Sequence, residues 1–350
     1  MSEIANQSPP KLVDVARLAE CSISTVSRVL NDNPTVGKTE RERVLRAVDK
    51  LGYVPNGSAR ALRSSRTRLV GAIIPTLDHA IYAVMVNSLE ARLSEAGVSL
   101  IINTSDYDAE KEVRQARLLV ERGVESLVLV GAQHNGKLLD LLDQKGVGYV
   151  FTYTTNSTEK GAAIGFDNVK AGAMGAQFLH DLGHVHFAMI AGVTKDNDRA
   201  QGRVDGFLGE LSRLGHDPLK VEVIEAKYDL NSGRHMMGLL MKSQVRPTAV
   251  FCGSDILAAG ALKYCHTENI RVPDDVSVMG FDNLEIAELT FPELTTLEVP
   301  ARSMGVFAAE YALATPGSNS RILQRELPVR LIARGSTGPF RGSIAYAPSL

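Results

Sequence analysis

The sequence predicts an all-α helix-turn-helix headpiece joined to an α/β core of two parallel-sheet lobes. Three observations lead there. Residues 11–63 read as three short helices, a Gly52-Tyr53-Val54-Pro55-Asn56 break and a basic segment ending in Ala61-Leu62-Arg63. From residue 69 the pattern changes to short β-rich runs alternating with amphipathic helices, the signature of βαβ units. The charge changes sign at the same place. Residues 1–68 carry 12 Lys+Arg against 7 Asp+Glu, a net of +5, and the remaining 282 residues carry 26 against 33, a net of −7. A basic end on an acidic body suits a nucleic-acid reader attached to a regulatory body.

Helix 1 is expected over Leu12–Ala19, with Val15 and Leu18 inward and Ala16 and Ala19 permitting close approach of the next helix. Glu20-Cys21-Ser22 is a three-residue turn. Ser22 is read as the N-cap of helix 2, which runs to Leu30, buries Val26 and either Val29 or Leu30, and turns Ser24, Thr25, Ser27 and Arg28 outward. Asn31-Asp32-Asn33-Pro34 breaks it. Thr39 with Glu42 spells a capping box for helix 3, whose stripe is Val44, Leu45, Val48 and Leu51, and Gly52 ends it.

In the body, strands are expected at Leu69–Ile74, Ser99–Ile102, Ser126–Val130 and Tyr149–Thr152, with helices centred on Val84–Leu93, Glu112–Val120 and Leu138–Leu142. A second series places strands near Ala162–Phe166, Phe187–Ile190, Val221–Ile224, Ala249–Cys252 and Val276–Met279. Its helices lie near Gly172–Leu182, Gly202–Leu214, Gly233–Met241 and Leu257–Glu268. Leu294–Val299, a helix Met304–Leu313 and Leu327–Ile332 return strands to the two sheets in turn.

Composition narrows the function. The chain has 350 residues, too many for one core. No run approaches a membrane span, and MSEIANQSPPK has no apolar signal region, so a cytoplasmic protein is expected. Cys21, Cys252 and Cys265 are scattered without metal or disulfide spacing. No cofactor or metal is implied. His184 and His186, before a strand, read as structural.

Residues 11–63 resemble the headpiece of LacI-type transcription regulators. The match rests on the VDVARLA run, the STVSRVLN helix, the T-x-x-R-x-x-V start of helix 3 and the LGYVPN–x-x-A-x-x-L hinge. VGAIIP at 70–75, RGVESLVLVG at 122–131, R-x-x-G-F at 203–207, GSDILAAGAL at 253–262, VPDDVSVMGFDN at 272–283 and LTTLEVP at 294–300 extend the resemblance over about residues 11–337. It implies a periplasmic-binding-protein-like core with a small ligand between the lobes. It also implies that Ile23, Ser24 and Arg28 meet base edges, Arg28 being the natural guanine reader. Ser22, Thr25, Ser27 and the start of helix 3 would hold phosphates. Asn56–Ser65 would form a hinge helix paired across a dimer axis, with Ala59 at the pairing contact and Leu62 wedged into the minor groove.

For the ligand, the resemblance implies Arg203 as the clamping arginine, Asp282 as an acceptor, Ser254 where many members carry Asn, and Tyr228 as wall or lid. Asp78, His79 and Tyr82 follow the first strand. Many members end the strand at 149–152 with Asp; here Thr152, Tyr153 and Thr154 put hydroxyls in its place. Tyr82 and Tyr228 are read as the only stackers. Asp255 is read first as the N-cap of a helix over 256–268 and second as a ligand contact; Asp167 reads equally as a cap.

The domain reading is a flexible 1–10, a headpiece 11–55, a hinge 56–68, a core 69–340 and a flexible tail 338–350. Lobe 1 takes about 69–160 plus 295–325, and lobe 2 about 161–290 plus 326–337. The expected function is a regulator, read as a repressor, that binds a pseudo-palindromic operator as a homodimer under control of a sugar, sugar acid or similar metabolite. Both inducer and co-repressor readings stay open. The tail lacks heptads, which excludes a C-terminal coiled coil. A solute-binding transport component is the alternative, but it leaves residues 11–63 without a role. An enzyme on a Rossmann-like sheet would need GxGxxG, a P-loop or GxSxG, and none is present.

Overall fold

The computed structural model describes residues 9–54, 66–156, 161–314 and 324–341. It divides into two compact units, residues 1–67 and 68–350.

The first unit is three helices, α1 (Leu12–Leu18), α2 (Ile23–Leu30) and α3 (Lys38–Leu51). Each ends the same way. Glu20, Asp32 and Gly52 take positive φ, and the next residue's N–H reaches back to the Ala16, Arg28 and Val48 carbonyls respectively. This satisfies carbonyls that the last turn leaves open. Ser22 caps α2, its Oγ accepting from Thr25 N–H at 3.1 Å. The core is Val15, Ala16, Ala19, Val26, Val29, Val44 and Ala47. Two expectations fail here. Leu18 and Leu45 are 41% and 46% exposed, and the neighbouring Ala19 and Ala47 are buried in their place. Helix α3 begins at Lys38 with Gly37 before it and no side-chain cap, so Thr39 and Glu42 lie inside the helix and form no capping box.

The second unit holds two six-stranded sheets. In chain order, its first elements are β1 (Leu69–Ile74), α4 (Ala80–Glu95), β2 (Ser99–Thr104), α5 (Ala109–Glu121), β3 (Ser126–Val130), α6 (Gly136–Lys145), β4 (Gly148–Thr152) and β5 (Ala162–Gly165). Next come α7 (Asn168–Asp181), β6 (Phe187–Gly192), α8 (Asp198–Arg213), β7 (Glu222–Ala226), α9 (Leu230–Leu240), β8 (Ala249–Cys252), α10 (Asp255–Thr267) and β9 (Ser277–Asp282). The chain closes with α11 (Ile286–Leu289), β10 (Thr295–Glu298), α12 (Ala301–Ala314), β11 (Gln324–Glu326) and β12 (Arg330–Ile332). Sheet order is β11-β5-β4-β3-β1-β2 in the first lobe and β12-β10-β9-β8-β6-β7 in the second. All neighbours are parallel except β10 and β12.

The inner strands of both sheets are buried on both faces, while the edge strands β2, β7, β11 and β12 are partly exposed. Val70, Ala72 and Ile74 face α4 and α12, while Ile73 faces the cluster that includes Leu119 of α5 and Leu142 of α6. The two-residue alternation of a strand thus supplies two separate cores. In the second lobe α7 packs on α8, and α9 on α10. The α7–α8 crossing depends on missing side chains: a methyl group at Gly172 would overlap the Arg203 carbonyl, and one at Gly206 the Val169 carbonyl.

The expected lobe boundaries need two corrections. Strand β5 belongs to the first sheet, where Phe151 pairs with Ala163. Strand β10 belongs to the second, where Thr296 pairs with Gly280. No helix is described between β4 and β5, so the alternation of elements cannot place β5; α12, far along the chain, packs on β4 and β5. A third correction concerns the tail. Phe340 N–H bonds to the Leu182 carbonyl and Gly338 to Ser277, so the residues up to 340 are held to the second lobe.

Candidate functional site

Parallel strands deliver their C-terminal ends, and the loops that follow, to one edge of each sheet. Here those edges enclose a cleft of about 760 Å³ between the lobes. Asp78, His79, Tyr82, Arg203, Tyr228, Ser254 and Asp282 all line it. The cleft brings together these seven residues; Asp255, Asp167, Thr152 and Thr154 are not among its lining.

Arg203 projects from α8 and is only 7% exposed. Its guanidinium donates to Asn168 Oδ1 at 2.8 Å and to Tyr228 Oη at 3.1 Å, and lies 4.5 Å over the Phe281 ring. Its Nε–H is buried and has no partner. Asn168, on the first turn of α7, also donates to the Tyr153 carbonyl at 2.9 Å, so Arg203 is oriented by a residue that itself spans the lobes. Nearby, Arg199 donates to the Val130 carbonyl at 3.1 Å, and Asp198 Oδ2 accepts from Ala132 N–H at 2.9 Å. The first turn of α8 is therefore tied to the end of β3.

The walls are aromatic. His79 meets Tyr228 edge-to-face at 5.0 Å across the lobes, and Tyr82 meets Tyr153 at 5.4 Å. Tyr107 Oη lies 3.3 Å from Tyr82 Oη and 3.4 Å from His79 Nδ1. Burial lowers the His79 pKa, opposed by Asp78, which keeps the ring in its neutral form. Of the chain's nine tyrosines, Tyr82, Tyr107, Tyr153 and Tyr228 line this cleft, joined by Phe166 and Phe281. The reading of Tyr82 and Tyr228 as the only stackers is thus too narrow: rings from six separated segments converge.

Asp282 ends β9 with φ 112°, a backbone region that L residues rarely adopt. Burial, then the Asp255 carboxyl, push its pKa well up, against Arg203. Asp255 is not the cap expected of it. Ser254 is the N-cap of α10, accepting from Leu257 N–H, while Asp255 is fully buried and accepts from Thr296 Oγ1 at 2.6 Å and Leu284 N–H at 2.7 Å. It fastens the segment after β9 to α10, and burial raises its pKa to about 7. Asp167 does cap α7, accepting from Val169 and Lys170 N–H. The hydroxyls after β4 are engaged elsewhere: Thr152 with the Leu129 carbonyl, Tyr153 with the Ile81 carbonyl and Thr154 with Asn156 N–H. They do not stand in for a ligand-binding carboxylate.

Sequence reasoning missed Asn168 and Arg199. Arg199 stands one turn before Arg203, on a first helical turn that the reading began only at Gly202; Asn197, whose side chain caps α8, was the available signal.

In the other unit, the outer face of α2 presents Ser24 and Arg28 exposed and Ile23 at 49% exposure. Thr25 and Ser27 are half-buried. Ser22, Ser24 and Thr25 share hydroxyl bonds of 2.7 and 2.9 Å. Ala59 and Leu62 lie outside the described residues.

Residues 11–56 match the family described as bacterial regulatory proteins, lacI family, and residues 176–337 match a periplasmic binding protein-like domain. The HTH-type transcriptional regulator RegA of Clostridium saccharobutylicum is 33% identical over 84% of this chain and 89% of its own. The chain belongs to the LacI family. A Lac repressor dimer solved with operator and the anti-inducer ONPF has a TM-score of 0.85 at 25% identity, covering 95% of this chain and 100% of that one. A complex of the transcriptional regulator CelR with cellobiose has a TM-score of 0.67 at 29% identity, covering 93% and 99%. These LacI-family relatives are regulators rather than enzymes. No helix among the described residues is long and apolar enough to cross a membrane.

Proposed function

We propose that this LacI-family chain is a cytoplasmic repressor that binds a pseudo-palindromic operator as a homodimer and answers to a small polar metabolite held between its lobes. The observation that carries the reading is Arg203, buried in the cleft with a donor left unpaired. A buried unpaired N–H is costly, and a ligand acceptor would satisfy it. The ligand would touch Arg203 and Tyr228 from one lobe and His79 and Tyr82 from the other, so binding would favour one arrangement of the lobes. Asp78, Ser254 and Asp282 complete the proposed contacts. On the DNA side, Ile23, Ser24 and Arg28 read bases, and Ser22, Thr25 and Ser27 position phosphates. The uncapped N–H groups at Lys38 and Thr39 add a phosphate seat. Ala59 and Leu62 are assigned to the hinge in the minor groove.

The test is selection of bound sequences from randomised duplex DNA, followed by affinity measurements with and without metabolites that stabilise the protein. A two-fold symmetric site should be enriched, and the effector should change its affinity about 5–150-fold, the usual range of coupling. Enrichment of no sequence, or an affinity indifferent to every stabilising ligand, refutes the reading.

A further inference from the structure

The polar groups of the cleft are unequally available. Several of its side-chain oxygens already accept one bond within the protein. Asn168 Oδ1 accepts from Arg203, Asn197 Oδ1 from Ala200 N–H and Ser254 Oγ from Leu257 N–H. Donors remain. Arg203 Nε–H has no partner. Tyr228 Oη accepts from Arg203 and keeps its own proton to give. Ser254 Oγ, accepting from the backbone, does likewise. Arg203 also forms no ion pair among the described residues; its neighbours are an amide, a phenol and a ring. The neighbouring Asp282 carboxyl, which burial pushes toward its neutral form, gives this buried guanidinium only a weak counter-charge. Asp78 and Glu285 sit exposed, where water screens them, and Glu298 is engaged by Asn283.

We propose that the cleft takes a ring-borne monocarboxylate, its carboxylate received by Arg203 Nε, Tyr228 Oη and Ser254 Oγ and its ring by the walls of His79, Tyr82 and Tyr107. The proposal rests on the effector reading above and specifies the ligand's charge. A neutral polyol hydroxyl can accept from Arg203 but brings no charge to it. A carboxylate brings two acceptor oxygens and a full counter-charge. The one deep carboxyl, Asp282, is pushed by burial toward its neutral form, in which it too can donate. Aromatic faces suit either the C–H face of a pyranose or an aromatic ring, so cyclic sugar acids and aromatic acids share the required chemistry.

The experiment uses the full-length protein and matched probes, read by thermal shift and calorimetry. The probes are glucuronate with glucuronamide and glucose, galacturonate with galactose, and para-hydroxybenzoate with para-hydroxybenzamide. One acid should bind, its neutral counterpart about tenfold or more weakly, since hydrogen bonds to charged groups are the stronger ones. Which acid binds distinguishes the sugar-acid from the aromatic-acid source. Arg203→Gln should abolish the preference. Tyr228→Phe, which keeps the ring, should weaken the acid alone and serves if the Arg203 variant does not fold. An amide or neutral sugar that binds as tightly as its acid overturns the charge assignment and leaves the effector cleft standing. Stabilisation by no probe of either charge overturns both.

Discussion

Asp255 offers a quantitative test of the cleft floor. Its carboxyl is fully buried, and burial raises its pKa from about 3.8 to about 7, against the Thr296 and Leu284 bonds. The folded state therefore holds a proton that the unfolded chain releases, so stability falls as pH rises from the unfolded pKa through the folded one. With about 1.4 kcal/mol per unit, the loss attached to this group between about pH 5 and pH 8 is roughly 2–3 kcal/mol. Asp255→Asn keeps the shape and cannot ionise. Its amide oxygen can accept from Leu284 N–H while its NH₂ donates to Thr296 Oγ1. Asp282, relieved of a neighbouring carboxyl, loses part of its own upward shift, which adds to the variant's gain at high pH. Denaturant melts of both proteins across this pH range should show the variant gaining on the wild type by roughly 2–3 kcal/mol toward high pH. Parallel profiles would refute the assignment of a buried, proton-holding Asp255.

Two further outcomes are expected. Ser22→Ala should cost the headpiece about 1 kcal/mol in thermal melts through loss of the α2 cap and lower operator affinity, and unchanged melting would count against the cap. Gly131→Ala puts a methyl into Arg199 and Asp198 at a residue with φ 88°, so it should cost about 1–3 kcal/mol. That cost should shrink in an Arg199→Ala background, and strict additivity in the double mutant would deny the contact.

The parts legible in sequence are those fixed locally. Ser22 caps the helix that follows it because an N-cap needs only three residues of chain, and strands β1 and β3 announce themselves as apolar runs between turns. Thr39 and Glu42 carry the same local pattern without forming a cap, since Gly37 lets the helix begin earlier. Leu18 and Leu45 look like core because their type is apolar; only the packed helices reveal that Ala19 and Ala47 are the residues turned inward. The resemblance carried by the R-x-x-G-F run pointed to Arg203, which the structure places in the cleft, and Gly206 lets α8 press on α7 closely enough to bring Arg203 to Asn168. The ring cluster was not, because Tyr82, Tyr107, Tyr153 and Tyr228 meet only after distant strands have paired. Placement of β5 and β10 failed for the same reason.

The winding of the two sheets also sets a timetable for synthesis. Strand β11 completes the edge of the first sheet and β12 that of the second, and both lie beyond residue 323. A chain leaving the ribosome can close the apolar centre of its first unit once Val44 and Ala47 have emerged. Neither sheet can be finished until the last strands appear, and α12, which covers the first sheet, arrives barely earlier. Domains generally fold as units during translation. For some three hundred residues of growth, then, the nascent protein carries a folded basic head ahead of an incomplete acidic body. In that interval chaperones would have to shield the bare faces of β1 and β4, and stop codons placed within the second unit before residue 324 should yield chains that are degraded rather than chains that bind DNA without control.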